Sequence, residues 1–171
     1  LNTLRTVNGA PGQFTTNAAD STIYGIELEG QYLLTDDLIF NASYSFLHAE
    51  FDKLDSLDPR RPALGELDLA GHKLPYVAEN TITAGLSYDK DIGANGELTA
   101  SINTTWQGDV WLREYNDPFV DLVKSGTKTD ASISYKFVNQ DFKVTGYLTN
   151  LEDNVDKTNI FISPGFIGMS A

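Results

Sequence analysis

One short polar stretch carries the residue types best suited to binding a ligand. Trp111, Arg113 and Tyr115 occupy every second position there. Aromatic rings stack on sugars and other flat organic groups, and a guanidinium binds a carboxylate through parallel hydrogen bonds. We therefore predict that Trp111, Arg113 and Tyr115 bind a ligand. The competing interpretation makes them part of the rim of the fold, with Trp106 and Trp111 as anchors at an interface.

Two further groups have metal-binding chemistry but lack the spacing of a metal site. Carboxylates suited to calcium cluster in one acidic stretch: Asp52, Asp55, Asp58, Glu66 and Asp68. Because they lack the alternate spacing and the glycine turn of an EF-hand loop, a solvated acidic loop is the simpler interpretation. His48 and His72 stand apart, with no partner motif. We predict no metal site and no cofactor.

The composition excludes several classes of function. The chain has 171 residues and a net charge of −12, which argues against nucleic acid as a partner. It has no cysteine, so neither disulfides nor thiolate metal sites are available. No nucleophile and base have the spacing of an enzyme family, and no Gly-rich phosphate loop occurs. We predict that the protein is not an enzyme.

The elements that hold these residues are predicted to be β-strands. Six stretches alternate apolar and polar residues, which places their apolar side chains on one face. The predicted strands are 22–34, 38–51, 79–89, 97–107, 127–137 and 141–149. Their connections alternate between short and long, with 52–77 and 108–126 as the long polar ones. Residues 1–21 are expected to be irregular, with Pro11 and Gly12 as a turn signal.

The position of the aromatic residues suggests what covers the apolar face. Near the long loops lie Tyr24, Tyr44, Phe46 and Trp106, and near the short turns lie Tyr32, Phe40, Tyr88, Tyr135, Phe137 and Phe142. Aromatic side chains in two such bands are typical of the lipid interfaces of a transmembrane barrel. The positions between the bands include Gly30, Ala42 and Ala84, which would fill the core of a sandwich poorly.

We therefore predict an all-β fold, an antiparallel up-and-down transmembrane β-barrel segment with about six strands and part of a further one. The barrel is incomplete, since the smallest closed transmembrane barrels have about eight strands. The alternative is a soluble extracellular β-sandwich that binds carbohydrate through Trp106 and Trp111.

Several stretches also resemble the C-terminal β-barrel of TonB-dependent outer-membrane receptors. They are residues 23–29, 41–45, 74–80 and 84–88, followed by 148–153, which is similar to the N-L-x-D stretch of that family. They occur in the order in which the family has them. The resemblance implies that residues 1–171 are the C-terminal part of such a barrel. Residues 22–149 would form three hairpins, and 150–171 a loop before a final strand that this chain lacks.

The resemblance also implies a function for the complete protein. Members of this family have barrels of about 22 strands with an N-terminal plug domain. They import scarce nutrients, such as siderophores, haem, cobalamin or oligosaccharides, with energy from the TonB complex. The expected location is the outer membrane of a Gram-negative bacterium, which the barrel crosses many times. A passive porin without a plug is the remaining alternative, and six strands alone would transport nothing.

The expected partners follow from the same resemblance. They are outer-membrane lipid, the rest of the barrel and the plug domain, and the TonB complex through the N-terminal part. Charged residues of the polar face would line the barrel interior and pair with one another or contact the plug: Glu27, Glu29, Glu97, Lys128, Asp130, Lys136 and Lys143.

Overall fold

The fold is that of a computed structural model that describes residues 2–7, 10–15, 19–138, 142–155 and 157–160. These residues form strands and two short 3-10 turns, Pro62–Leu64 and Gly93–Asn95. The strands are β1 (Asn2–Val7), β2 (Ala10–Thr15), β3 (Asp20–Thr35), β4 (Leu38–Lys53), β5 (Asp55–Leu57), β6 (Glu66–Asp68), β7 (Asn80–Asp91), β8 (Glu97–Gln107), β9 (Val110–Trp111), β10 (Leu122–Val123), β11 (Gly126–Phe137) and β12 (Phe142–Leu148). None of the described residues forms a helix long and apolar enough to cross a membrane.

Six long strands form one antiparallel sheet in the order β12-β11-β8-β7-β4-β3. Each long strand pairs with the long strands that come before and after it in the chain. This is an up-and-down arrangement. All six predicted strands are confirmed, each end within two residues of its predicted position. The sheet does not close on itself, because β3 and β12 each pair on one side only. The predicted all-β barrel segment of six strands, incomplete as a barrel, is confirmed.

The strand register divides the sheet into an apolar face and a polar face. Leu28 lies opposite Tyr44, Tyr44 opposite Ile82, and Ile82 opposite Trp106. Residues paired in this way point to the same side, so one row of the apolar face crosses four strands. Leu28 remains 61% exposed, and the described residues offer nothing that packs against this face. A soluble sandwich would bury it.

The polar face is held together by hydroxyl groups of neighbouring strands. Hydrogen bonds join Thr83 to Thr105 at 3.2 Å, Ser101 to Ser132 at 2.9 Å, and Ser134 to Thr145 at 2.9 Å. Near the short turns, Lys136 forms an ion pair with Glu97 at 3.2 Å. That pair is one instance of the predicted pairing among the charges of this face.

The ten aromatic residues predicted at the ends of the apolar face lie on the six long strands, with Tyr44 and Phe46 in the middle of β4, which extends to Lys53. The rings of Tyr135 and Phe137 meet edge to face at 4.7 Å, and Phe142 lies 5.7 Å from Phe137. At the other end of the strands, the centroids of Tyr24 and Phe46 are 6.4 Å apart. Contact of these side chains with lipid stays a prediction.

The expectation that residues 1–21 are irregular is wrong for most of them. Strands β1 and β2 form an antiparallel hairpin, and Pro11 lies within β2, opposite Thr6, instead of in a turn. Val7 pairs with Ala10, which leaves Asn8 and Gly9, outside the described residues, as the connection. In a sequence, an Asn-Gly pair between two strands is the strongest short signal for a hairpin.

The two long connections contain short strands of their own. In the first, β5 pairs with β6, and in the second β9 pairs with β10. Helical structure between residues 61 and 69 is limited to the 3-10 turn Pro62–Leu64, since Gly65 leaves the helical region with φ of 74°. Residues 139–141, which include most of the short connection between the last two predicted strands, lie outside the described residues, and so do 156 and 161–171 of the predicted loop 150–171.

Candidate functional site

Both long connections emerge from the same end of the sheet and pack on each other there. We name residues 54–79 and 108–125 the loop unit. Its interior contains Leu54, Leu57, Leu69 and Leu112, each at most 4% exposed. Backbone hydrogen bonds join the two segments, for example from the Tyr76 amide to the Trp111 carbonyl oxygen at 2.7 Å. The hydrophobic core of the described residues therefore lies between the loop unit and the end of β4, which contributes Phe51 to it.

Arg60 connects the two segments electrostatically. Its guanidinium lies 3.0 Å from a carboxylate oxygen of Asp58 and 2.7 Å from one of Asp117. The side chains of Asp58 and Asp117 are only 3% and 12% exposed, so little water screens these pairs. The pKa of Asp117 lies below its usual value because the Phe119 amide and Arg60 donate hydrogen bonds to it. Asp58 raises the pKa of Arg60.

The three predicted ligand-binding residues lie within the loop unit, and two of them have partners inside it. Arg113 Nε donates a hydrogen bond of 2.7 Å to Asp121, whose side chain is fully buried. The Tyr115 hydroxyl donates to the Leu57 carbonyl oxygen at 2.7 Å. Burial raises the pKa of Tyr115 to about 12. The Arg113 guanidinium also lies over the Tyr115 ring, 5.3 Å from its centroid.

The structure therefore gives Arg113 and Tyr115 a part in holding the loops together. Ligand contact by Trp111, Arg113 and Tyr115 stays a prediction. Asp121 and Arg60 carry much of the polar contact within the loop unit, and sequence inspection did not single out either of them.

The acidic residues considered for calcium have other partners. Asp58 binds Arg60, and Asp52 accepts a hydrogen bond of 2.8 Å from the Thr22 hydroxyl. Asp55 and Asp68 are opposite each other in the β5–β6 hairpin. Within the described ranges, no three His, Asp or Glu side chains are grouped so as to hold a metal ion.

The two histidines lie in different surroundings. His48 lies 3.2 Å from Glu50 and 3.4 Å from Glu79, and Lys73 Nζ is 3.1 Å from its ring. Burial alone would raise the pKa of Glu79, but hydrogen bonds from His48 and Lys73 hold it below its usual value. His72 contacts the Glu114 carbonyl oxygen at 2.9 Å.

A pocket of about 310 Å³ lies where the polar face of the sheet meets the loop unit. Thr105 and Lys128 are opposite each other on β8 and β11, and both line the pocket. Its other described lining residues are Tyr76, Gln107, Gly108, Val110, Leu112, Val123, Lys124, Gly126, Thr127, Asn154, Lys157 and Thr158. Of the three lysines that line the pocket, only Lys128 was predicted to face the barrel interior. The pocket could not be predicted from the sequence.

The stretch similar to N-L-x-D covers an edge that β12 leaves open. Strand β12 ends at Leu148, whereas β11 extends further toward the loop unit. There the Leu151 amide donates to the Thr129 carbonyl oxygen at 3.0 Å, and the Thr129 amide donates to Glu152 at 2.8 Å. Asn154 donates from its side-chain amide to the Thr127 carbonyl oxygen at 2.7 Å. This turn satisfies backbone groups that an unpaired edge would expose.

The fold and its two faces define a segment of the wall of a β-barrel. The sequence model of the family described as TonB dependent receptor-like, beta-barrel matches residues 2–151. The chain belongs to this family, as the resemblance in its sequence motifs indicated.

The solved structures with a similar fold include two receptors. The ferric yersiniabactin uptake receptor FyuA from Yersinia pestis superposes with a TM-score of 0.69 at 16% identity, over 86% of this chain and 21% of that one. BauA, the ferric preacinetobactin receptor from Acinetobacter baumannii, gives a TM-score of 0.63 at 19% identity, over 91% of this chain and 22% of that one. The chain thus spans about a fifth of the length of these receptors. No curated protein matches its sequence.

Proposed function

We propose that the chain is part of an outer-membrane receptor that binds a scarce nutrient and imports it with energy from TonB. The observation that carries this proposal is the six-stranded sheet with one exposed apolar face and one polar face, in a chain of the TonB-dependent receptor family. An apolar face suits the hydrocarbon of a bilayer, and a polar face suits a barrel interior. The protein would lie in the outer membrane of a Gram-negative bacterium and would not be an enzyme.

Within this function, a ferric siderophore is the substrate class that the comparisons favour. Both similar structures are receptors for iron chelates of this kind. Haem, cobalamin and oligosaccharides are the other nutrients to compare in the same assay. The partners would be outer-membrane lipid, the remaining barrel strands, a plug domain and the TonB complex.

The site would be formed where the loop unit overhangs the polar face. Trp111, Arg113 and Tyr115 would contribute to it, with Arg113 and Tyr115 fixing the shape of the loops. The ten aromatic residues predicted for this role would lie at the two lipid interfaces. Exposed fractions of 56% for Tyr24, 67% for Tyr32 and 53% for Phe142 support that role.

Transport by the full-length receptor tests the proposal. The gene for the whole protein is deleted from its host, and uptake of radioactive iron from a panel of ferric siderophores is measured, with and without TonB. We expect the loss of uptake of at least one chelate, restored by the wild-type gene only when TonB is present. Uptake that persists without TonB would indicate a passive porin. A full-length protein found outside the membrane fraction would exclude both.

A further inference from the structure

The pocket between the polar face and the loop unit differs in charge from the rest of the chain. The protein has 24 acidic and 12 basic residues. The pocket is lined by Lys124, Lys128 and Lys157, and none of its described lining residues is acidic. Lys124 and Lys157 bring positive charge to this lining in an otherwise acidic protein, and positive charge attracts anions.

Lys124 is able to change partners at little cost. Its ammonium lies 3.3 Å from Asp109, but the lysine side chain is 77% exposed, and exposed pairs contribute little. Asp109 has a stronger partner in the Ser125 amide, which donates a hydrogen bond of 2.6 Å and lowers the pKa of Asp109. A ligand carboxylate is therefore able to recruit Lys124 without leaving Asp109 unpaired.

Part of the pocket lining is apolar. Val110, Leu112 and Val123 come from the loop unit, and together they offer a surface for a ring. The side chain of Tyr76 lies at the same pocket, 59% exposed, on a backbone with φ of 63°. Non-glycine residues in this conformation are strained and concentrate at functional sites. Hydrogen bonds from the Tyr76 amide to Trp111 and from its hydroxyl to Asn159 hold it there.

We propose that this pocket binds an aromatic carboxylate group of the transported ligand. Lys124 and Lys157 would bind the carboxylate, while the apolar lining residues and the Tyr76 ring would contact the aromatic ring. A volume of about 310 Å³ is at the small end for ligand pockets, so it fits one arm of a large iron chelate instead of the whole molecule. The inference rests on the proposed receptor function and adds the chemistry that the site selects.

Binding of a minimal probe tests the inference directly. The full-length receptor in detergent micelles is titrated with 4-fluorobenzoate, followed by fluorine NMR, and with the neutral analogue 4-fluorobenzamide. We expect the benzoate to bind, to weaken as salt is added, and to bind at least about ten times more tightly than the benzamide. In the double variant Lys124→Gln and Lys157→Gln, the affinity for benzoate should fall at least about tenfold.

A matched control distinguishes binding in the pocket from a general attraction of benzoate to positive charge. Lys136 and Lys143 are opposite each other near the short turns of the same sheet, and their replacement by glutamine removes the same charge far from the pocket. This control variant should bind benzoate like the wild type. Equal binding of benzoate and benzamide, or equal loss in both double variants, would overturn the inference.

The transport assay keeps the two proposals distinguishable. The receptor could import a ferric siderophore with TonB while replacement of the pocket lysines leaves the affinity for benzoate unchanged. In that case the pocket inference fails and the receptor function stands. If benzoate binds as expected but no chelate is imported, the receptor function fails. A Tyr76→Ala variant adds a second readout, since it should weaken benzoate binding while the salt dependence from the lysines remains.

Discussion

Replacing Arg60 by methionine would leave two buried carboxylates without their cation. Asp58 and Asp117 belong to different long connections, and Arg60 lies within 3.0 Å of both. Removing one member of a buried charge group costs about 3–5 kcal/mol, because the remaining charge stays desolvated and unpaired. Since the Arg60 side chain is 20% exposed, water offsets part of this loss. We expect a value near the lower bound, about 3 kcal/mol.

The effect should appear as opening of the loop unit. A change of about 3 kcal/mol raises the population of the open state by roughly two orders of magnitude. Backbone amides that join the two segments report it, among them Tyr76, which donates to the Trp111 carbonyl oxygen at 2.7 Å. Hydrogen exchange with mass spectrometry on the full-length receptor would measure the faster exchange of these amides, while amides of β8 should remain protected.

The neighbouring arginine is the matched control. Arg61 is 61% exposed and lies 3.8 Å from Asp117, so Arg61→Met should change stability by less than about 1 kcal/mol. A triple variant with Arg60→Met, Asp58→Asn and Asp117→Asn keeps acceptor oxygens but removes the buried charges, and it should recover most of the protection. The reasoning is refuted if Arg60→Met and Arg61→Met show the same exchange in the loop unit.

Three further predictions concern single groups. Absorbance at alkaline pH should show a tyrosine ionisation near pH 12 that is absent from Tyr115→Phe. Burial raises the folded pKa of Tyr115 above the ordinary value of about 10. Its stabilising contribution is therefore complete below pH 10 and is lost toward pH 12. The pKa of Asp117 is lower in the folded than in the unfolded chain, so the ionised Asp117 stabilises the loop unit above about pH 4 and this stabilisation is lost at lower pH. Hydrogen exchange in the loop unit should therefore accelerate on acidification. The acceleration should be smaller in Asp117→Asn. Gly25→Ala should destabilise the barrel by about 1–3 kcal/mol in urea unfolding, since the new methyl group would overlap the Phe46 carbonyl oxygen. Gly30→Ala on the same strand meets nothing within 4 Å, and an equal loss there would contradict the packing argument.

The six long strands could be predicted because their signal is local. Alternating apolar and polar residues point to opposite faces of any extended chain, so the pattern itself determines which side chains share a face. The β1–β2 hairpin was not predicted, because its residues do not alternate and Pro11 and Gly12 were the turn signal considered. A turn signal of two residues is weaker evidence than a strand pattern of ten or more.

The candidate site was predicted only in part. Arg113 and Tyr115 were singled out by residue type, but their partners Asp121 and Leu57 were not, since nothing in the local sequence marks a backbone carbonyl oxygen as an acceptor. The pocket was missed altogether. Its lysines lie on β11, in the second long loop and after β12, and only the strand register and the packing of the loops bring them together.

The chain's residue pattern alone defined the sheet, its two faces and the family, because those properties depend on neighbours a few positions apart. Tertiary structure decided which of the loop residues meet. Arg60 and Asp117 are 57 positions apart and Ser56 and Tyr115 are 59 apart, and each pair is brought into hydrogen-bonding distance by the loop unit. Such contacts depend on how two connections share a small hydrophobic interior, and no periodic pattern of the sequence encodes that arrangement.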